Sequence, residues 1–492
     1  MIVALLLLSF LSCIVFLFGF SDESKSKRIA VELAIYQFFS VFAIHCTYIF
    51  LPVHYGRPHN YFYAADLYSF FWNESFSGYF LYDELSGIFA LLTTFLTWSC
   101  VLIIWNSIRY RYNEFLFFLF LVQFLLLNIF FTGDLLVFYM FFEFLAVPMF
   151  FIIGVWGSRS RKIGAAYYLF FYTVGSSLLM LSVLGFIYFF LGTTSYHSLE
   201  ALEYLLPSSW RTFIFWSLFL SFASKLPLVP VHLWLPEAHV EAPTVGSVIL
   251  AGILLKVGGF GILRFVMPGF SEQIAENYTL LQTIGVVTAL YAFSSATVQV
   301  DIKKIVAYSS VGHMAFVLLS SISYTMEGIE ASVFTMVTHG FISGAMFAAV
   351  GFLYDRFKTR NLFAYGGLAQ LMPKAATYFF IFMLGNVSFP GTGAFISELG
   401  VFLAVSKMNY FTTFWLLFST VIGVVYNFWM YVRIFMGPCH NNVLVSFSDF
   451  NHTERFVLFW FSFMIFLTGL APELFLHDIH QHAKGLFALS IS

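Results

Sequence analysis

Five side chains that can carry a proton lie inside otherwise apolar stretches of this 492-residue chain. They are Glu143, Lys225, Lys256, His339 and Glu398. A charge at the centre of a bilayer costs about 2.5–3.5 kcal/mol on insertion scales, so such residues are functional candidates with an expected partner. One ion pair could simply hold two helices together. Two lysines, two glutamates and a buried histidine in one chain favour proton transfer instead.

Three further histidines are weaker candidates for the same chemistry. His313 occurs in SSVGHMAF, and His232 and His239 flank the sequence WLPEA. Histidine changes its charge near neutral pH, which suits a proton relay. A hydrogen-bonded core histidine remains the alternative for His313 and His339. His232 and His239 could equally carry protons toward a surface or merely face it.

Composition predicts the solvent in which these groups lie. Hydrophobic residues make up 60% of the chain and charged residues 10%, against about 45–50% and 25% in ordinary domains. These values and a mean hydropathy of +0.87 exclude a soluble enzyme and a disordered chain. With a net charge of −2, nothing indicates a nucleic-acid partner. No metal-ligand spacing is present, and the four cysteines are scattered.

The elements that must position the candidates are transmembrane helices, each about 20 apolar residues long. We expect the N-terminal segment to be the first of them, not a signal or transit peptide. We predict no strands, and the connection 52–84 reads as an interfacial loop. Fourteen segments fit, near residues 1–20, 29–51, 85–107, 114–132, 135–156, 163–191, 211–236, 244–266, 277–299, 304–324, 329–354, 374–406, 411–436 and 455–476.

Basic residues predict the orientation of these helices. Sixteen of the 23 lysines and arginines fall in loops that follow odd-numbered helices. Only Arg57, Arg211 and Lys407 fall in loops that follow even-numbered ones. The positive-inside rule therefore places the odd-numbered loops in the cytoplasm or matrix and both termini on the other side.

Two predicted helices are interrupted close to the candidate charges. Pro227 and Pro230 break the seventh helix just after Lys225, beside the partially negative end of a half-helix. Glu398 follows the second interruption, in the twelfth helix, where the partially positive start of a new half-helix favours a carboxylate. Three residues form this second interruption, namely Pro390, Gly391 and Gly393.

The matching positions of the two breaks, five helices apart, predict two inverted five-helix repeats in one transmembrane domain. The repeats would contain helices 4–8, residues 113–270, and helices 9–13, residues 275–437. Residues 1–112 would form helices 1–3. Residues 438–492 would form helix 14 and a tail.

Several strings in the chain resemble the antiporter-like membrane subunits of respiratory complex I. The resemblance covers nearly the whole chain, and its long central string is highly specific. Connection 52–84 departs from the family pattern and leaves contacts with neighbouring subunits open. The matching strings are LLVFYMFFEFLAVPMF, KLPLVPVHLWLPEAHVEAPTVGSVILAGILLK, SSVGHM, THGF and FPGTGAFISE.

The resemblance implies a role for each candidate. Glu143 is similar to the glutamate that pairs with the lysine of the seventh helix, here Lys225. Lys256 resembles the lysine that leads toward the central axis, and His339 the histidine that bridges two half-channels. Glu398 resembles the terminal residue of the relay, and a glutamate there favours one branch of the family over its sisters.

The resemblance also implies partners and a location. NADH, FMN, iron–sulfur clusters and ubiquinone are expected in partner subunits, with no cofactor or metal in this chain. Other membrane-arm subunits and lipids, cardiolipin among them, are the expected neighbours. The expected location is the mitochondrial inner membrane, and 68 phenylalanines suggest T-rich codons of an organelle genome. A sodium/proton antiporter subunit and a non-pumping membrane scaffold are the alternatives.

Overall fold

Helices dominate the structure. It is a computed structural model that describes residues 2–17, 23–50, 62–64, 80–108, 110–201, 205–438 and 448–489. Eleven helices within these ranges are long and apolar enough to cross a membrane. Two of them, Thr244–Gly269 and Met326–Phe357, are buried along their apolar stretches, so the others surround them. The predicted all-α polytopic membrane fold is confirmed.

The N-terminal part consists of four helices and one short hairpin. Asp83 starts the third helix with a capping box, in which its carboxylate accepts from the Ser86 amide at 3.0 Å. The Ser86 hydroxyl accepts in turn from the Asp83 amide at 2.9 Å. These elements are α1 Ile2–Leu17, α2 Glu23–Phe50, β1 Phe62–Ala64, β2 Phe80–Tyr82, α3 Glu84–Ser107 and α4 Tyr112–Phe131.

The next elements correspond to predicted helices 5 to 8. Predicted helix 5 is divided at Leu145, because Pro148 has no amide hydrogen to donate to the carbonyl one turn earlier. A 3₁₀ turn, Tyr196–Ala201, follows predicted helix 6. The helices are α5 Leu135–Phe144, α6 Ala146–Trp156, α7 Lys162–Leu191, α8 Ser208–Lys225, α9 Trp234–Glu241 and α10 Thr244–Gly269.

The remaining elements correspond to predicted helices 9 to 14. A short 3₁₀ turn, Leu362–Ala364, separates the long α14 from the helices that follow it. The helices of this part are α11 Ser271–Glu276, α12 Tyr278–Val298, α13 Ile302–Ile322, α14 Met326–Phe357, α15 Leu368–Leu371, α16 Pro373–Asn386, α17 Gly393–Met408, α18 Tyr410–Phe435, α19 His452–Leu470 and α20 Glu473–Leu489.

Both predicted interruptions are present. Pro227 and Pro230 lie between α8 and α9, and the Val229–Pro230 peptide bond is cis. Pro390 and Gly391 lie between α16 and α17, where Gly391 has φ +96°, a backbone conformation that favours glycine. Gly393 is the first residue of α17 and so belongs to the second half-helix, not to the break.

Contacts between connecting segments follow the predicted alternation. Arg159, after predicted helix 5, pairs with Asp301, after predicted helix 9, at 3.9 Å. Lys407, after helix 12, pairs with Glu327, after helix 10, at 2.6 Å. Odd-numbered loops thus meet at one face and even-numbered loops at the other, as expected when successive helices cross in opposite directions. We call the face with the odd-numbered loops the basic face.

A buried polar cluster ties the opposite face together. The guanidinium of Arg264 on α10 donates to both carboxylate oxygens of Asp83, at 2.5 and 2.8 Å. His482 of α20 lies 3.7 Å from the same carboxylate. His45 of α2 contacts Asp478 of α20 at 3.1 Å. These contacts hold the C-terminal helix against α2, α3 and α10.

The structure also corrects the sequence-based prediction in two places outside the helix breaks. The prediction of no strands is wrong, because β1 and β2 form an antiparallel pair in which Phe62 faces Tyr82. Both segments are rich in aromatic residues, which favour strands. The predicted C-terminal tail also forms a helix, α20. Most of connection 52–84, including Arg57, lies outside the described residues. Cys439 lies outside them as well.

The count of fourteen crossings and the repeat boundaries remain predictions. Three predicted spans are not among the eleven long apolar helices of the described ranges. The first is a shorter apolar helix within α1, and the seventh and twelfth are the half-helix pairs α8/α9 and α16/α17.

Candidate proton path

Two of the predicted residues touch at the centre of the molecule. The ammonium of Lys256 on α10 lies 2.8 Å from Nδ1 of His339 on α14, and Lys256 is fully buried. Close helix packing allows this contact. A Cβ added to Gly340 would lie 3.1 Å from the carbonyl oxygen of Gly252, so only small residues let the two backbones approach.

The local shape of α10 provides Lys256 with a second partner. Two π-helical stretches, Leu250–Leu254 and Ile262–Val266, interrupt the α-helical hydrogen bonds on either side of the lysine. The carbonyl oxygen of Ala251, in the first stretch, accepts a hydrogen bond from the Lys256 ammonium. π-Helical turns often occur at functional sites, and nothing in the sequence predicted these two.

His313 and Glu398 extend the contact between Lys256 and His339. The ring centroids of His339 and His313 are 5.6 Å apart. Nδ1 of His313 lies 3.3 Å from a carboxylate oxygen of Glu398 on α17. Four buried titratable side chains from α10, α14, α13 and α17 therefore form one row, which we call the central row. The weaker candidate His313 is a full member of it.

A small cavity adjoins the Glu398 end of the central row. Its volume is about 10 Å³, close to the space that one water molecule needs. Glu398, His313, Asn386 and Tyr426 line it. The Asn386 side-chain amide donates to the Tyr426 hydroxyl at 3.4 Å and to the side-chain oxygen Oδ1 of Asn427 at 2.9 Å. Sequence reasoning missed these polar residues, although Asn386 directly precedes the second break.

Glu143 and Lys225 lie near each other without contact. No ion pair joins them in the described part of the chain. Glu143 instead accepts a 2.5 Å hydrogen bond from Ser177 of α7. The Lys225 ammonium lies 4.7 Å from the ring centroid of Phe142, the residue before Glu143. Lys225 is the last residue of α8, as predicted, so it lies at the partially negative end of that half-helix.

Near Glu143 and Lys225, serine side chains form hydrogen bonds between α7 and α8. The hydroxyl groups of Ser176 and Ser224 are 2.6 Å apart. Ser221 donates to the Ser176 carbonyl oxygen at 2.7 Å, and the Trp234 indole donates to that of Ser224 at 2.8 Å. The adjacent serines of TVGSSLLM were the available sequence signal, but serine is too common in membrane helices to single them out.

Lys225 also lies beside α10. A Cβ added to Gly258 would be 3.2 Å from Cβ of Lys225 and 2.8 Å from the Leu226 amide nitrogen. The two lysines Lys225 and Lys256 therefore belong to helices in direct backbone contact.

The other two histidines are buried, so neither faces a surface. His232 packs against the Tyr291 ring, with centroids 5.1 Å apart. His239 on α9 stacks on Phe347 at 4.6 Å. Neither ring nitrogen of His239 has a hydrogen-bond partner within the described ranges. A buried polar group without a partner is costly, so His239 is a stronger candidate than the sequence suggested.

No group of three or more His, Cys, Asp or Glu side chains in the described ranges could hold a metal ion. The arrangement instead supports proton movement, because lysine, histidine and glutamate can each accept and release a proton.

Comparisons with known proteins identify the family of this chain. The family described as NADH:quinone oxidoreductase/Mrp antiporter matches residues 132–423. NADH-ubiquinone oxidoreductase chain 4 of Acanthamoeba castellanii is 47% identical over 79% of this chain and 78% of its own length.

Two solved structures share the fold over nearly all of this chain. A chain of respiratory complex I from Thermus thermophilus matches with a TM-score of 0.86 and 27% identity, over 99% of both chains. A chain of the Mrp complex from a Dietzia species matches with a TM-score of 0.83 over 98% of this chain and 97% of its own. At 17% identity, the second likeness concerns the fold alone. The chain belongs to the NADH:quinone oxidoreductase/Mrp antiporter family and, within it, to the group of NADH-ubiquinone oxidoreductase chain 4.

Proposed function

We propose that this chain is a proton-translocating membrane-arm subunit of respiratory complex I, an NADH:ubiquinone oxidoreductase. The observation that supports this most is the central row of Lys256, His339, His313 and Glu398, in which neighbouring groups lie close together inside an apolar helix bundle. The names of the curated relatives point the same way.

The first part of the path is the pair Glu143 and Lys225. Opposite charges that do not touch still interact by a few kcal/mol at an effective dielectric constant of about 20. When Glu143 is neutralised or turns away, the Lys225 ammonium loses that stabilisation and releases its proton. Water bridges the gap from Lys225 to Lys256, and the central row conducts the proton to Glu398.

The energy for this movement comes from partner subunits. Each proton moved against 100 mV costs about 2.3 kcal/mol. NADH, FMN, iron–sulfur clusters and ubiquinone act in those partners, while this chain contributes the proton path. Its neighbours are other membrane-arm subunits and lipids such as cardiolipin.

The location follows from the same assignment. The chain lies in the mitochondrial inner membrane, is encoded in the organelle, and has both termini on the intermembrane-space side. Residues 113–270 and 275–437 form the two inverted repeats, which the matched positions of the two helix breaks support.

The test uses Lys225→Ala and Glu143→Ala in the assembled complex. We expect proton translocation to be abolished while the amount of complex is unchanged. Lys407→Ala is the control, because Lys407 pairs with Glu327 at the exposed ends of their helices. Normal proton translocation by assembled Lys225→Ala and Glu143→Ala complexes would contradict the proposal.

Sodium/proton antiport is a second candidate, because the description of the matching family names the Mrp antiporter beside NADH:quinone oxidoreductase. It predicts that proton movement through the complex stops when sodium is removed. Proton movement that continues at full rate without sodium excludes it. A non-pumping scaffold predicts that every variant of the central row leaves proton translocation unchanged.

A further inference from the structure

A cavity of about 310 Å³ opens on the basic face of the molecule. Its rim includes Tyr110 and Ser158, both exposed, and its wall includes Asp355 and Arg360. Lys303 also lines the cavity, although only 1% of this residue is exposed. The cavity thus extends from exposed residues of the basic face to a buried amine outside the proton path described above.

The Lys303 ammonium has two fixed partners. It donates to the Ala242 carbonyl oxygen at 2.9 Å and to the Ser247 hydroxyl at 3.0 Å. Ser247 donates in turn to the carbonyl oxygen of His239 at 3.0 Å. Arg360 donates to the Val240 carbonyl oxygen nearby. Lys303 and Arg360 therefore cap the C-terminal end of α9, which carries partial negative charge.

His239 connects this end of α9 with the central row. It is fully buried, and its backbone carbonyl oxygen accepts a hydrogen bond from Ser247, which also contacts Lys303. Its ring stacks on Phe347 of α14, the helix that carries His339. Polar groups therefore continue from the cavity through Lys303 and Ser247 to His239, which packs against the helix of His339.

We propose that Lys303 takes up protons from the cavity and passes them to His239. This inference rests on the proposed function and adds a residue that accepts protons at the basic face. A hydronium ion in the cavity gives its proton to the neutral Lys303 amine and becomes water. The resulting ammonium gives a proton to the Ser247 hydroxyl, which rotates and gives its own proton to an unprotonated ring nitrogen of His239. This second transfer restores the amine.

Capping and proton transfer make opposite predictions for Lys303→Arg. Arginine keeps the positive charge and can donate to the Ala242 carbonyl oxygen, but its guanidinium does not release a proton in proteins. In the assembled complex we expect protons translocated per electron to fall at least fivefold. The matched control is Lys304→Arg, because Lys304 is the next residue and pairs with Glu237 at 2.7 Å in a partly exposed position. It should pump normally. Wild-type pumping by Lys303→Arg would overturn the inference and leave Lys303 as a cap.

Two further variants decide the question if arginine prevents assembly. Lys303→Met is close to lysine in size, and Ser247→Ala removes only the hydroxyl. Both variants should reduce proton translocation in assembled complexes. If neither Lys303 variant assembles, wild-type pumping by Ser247→Ala would overturn the inference. Lys256→Ala, tested in parallel, separates the two proposals. If it stops pumping while Lys303→Arg pumps normally, only this inference fails, and if both pump normally, the proposed function fails as well.

Discussion

At the scale of single residues, the sequence was sufficient to identify most of the candidate proton path. Lys256, His339 and Glu398 stood out because titratable groups are costly in apolar helices. Their contacts could not be predicted, because they join helices far apart in the chain. Tyr426 and the serines around Glu143 were missed because hydroxyl groups are common in membrane helices and cost little free energy there.

Replacing Glu398 with glutamine tests the end of the central row. Glutamine keeps the size of the side chain and can hydrogen-bond with His313, but it cannot accept and release a proton. We expect at least a tenfold loss of proton translocation without loss of the complex, measured with reconstituted vesicles. Glu327→Gln, at the exposed start of α14, should leave the rate unchanged. A Glu398→Gln complex that pumps at the normal rate would remove this residue from the path.

Replacing Arg264 with methionine tests the buried polar cluster opposite the basic face. The change leaves the Asp83 carboxylate buried without its cation, and breaking a buried pair in this way costs about 3–5 kcal/mol. The melting temperature of the complex should therefore fall. Lys407→Met breaks an exposed pair, for which the expected cost is below about 1 kcal/mol. Equal melting temperatures for the two variants would count against a stabilising role for the cluster.

At the scale of elements, the two helix breaks were predictable and the local distortion of α10 was not. Proline and glycine mark a break directly, because proline lacks an amide hydrogen and glycine lacks a side chain. The π-helical stretches beside Lys256 have no such marker in the sequence. The β1–β2 hairpin was missed because its short aromatic strands lie in a connection that reads as an interfacial loop.

Adding a methyl group at Gly258 tests the close contact between α8 and α10. In Gly258→Ala the new Cβ would lie 2.8 Å from backbone atoms of Phe222 and Leu226, so the helices must move apart. Overpacking of this kind costs about 1–3 kcal/mol, and we expect slower pumping with a lower melting temperature. Gly185→Ala is the control, because its Cβ would meet nothing within 4 Å. Identical behaviour of the two variants would show that the contact tolerates separation.

At the scale of the whole molecule, the distribution of charge predicted which connections meet. Basic residues concentrate in odd-numbered loops, and the structure brings these loops together at one face. The cavity at that face and the cluster around Asp83 at the other could not be predicted, since each combines residues from distant helices. Along α10, Lys256 of the central row lies between Ser247, which contacts the cavity residue Lys303, and Arg264 of the cluster.

The central claim is that protons cross this chain through Lys256 and its neighbours. The most direct measurement is the number of protons translocated per electron by the assembled complex with Lys256→Met, compared with the unaltered complex at the same electron-transfer rate. We predict a lower ratio for Lys256→Met, because methionine fills the same space and carries no proton. An unchanged ratio would contradict the account.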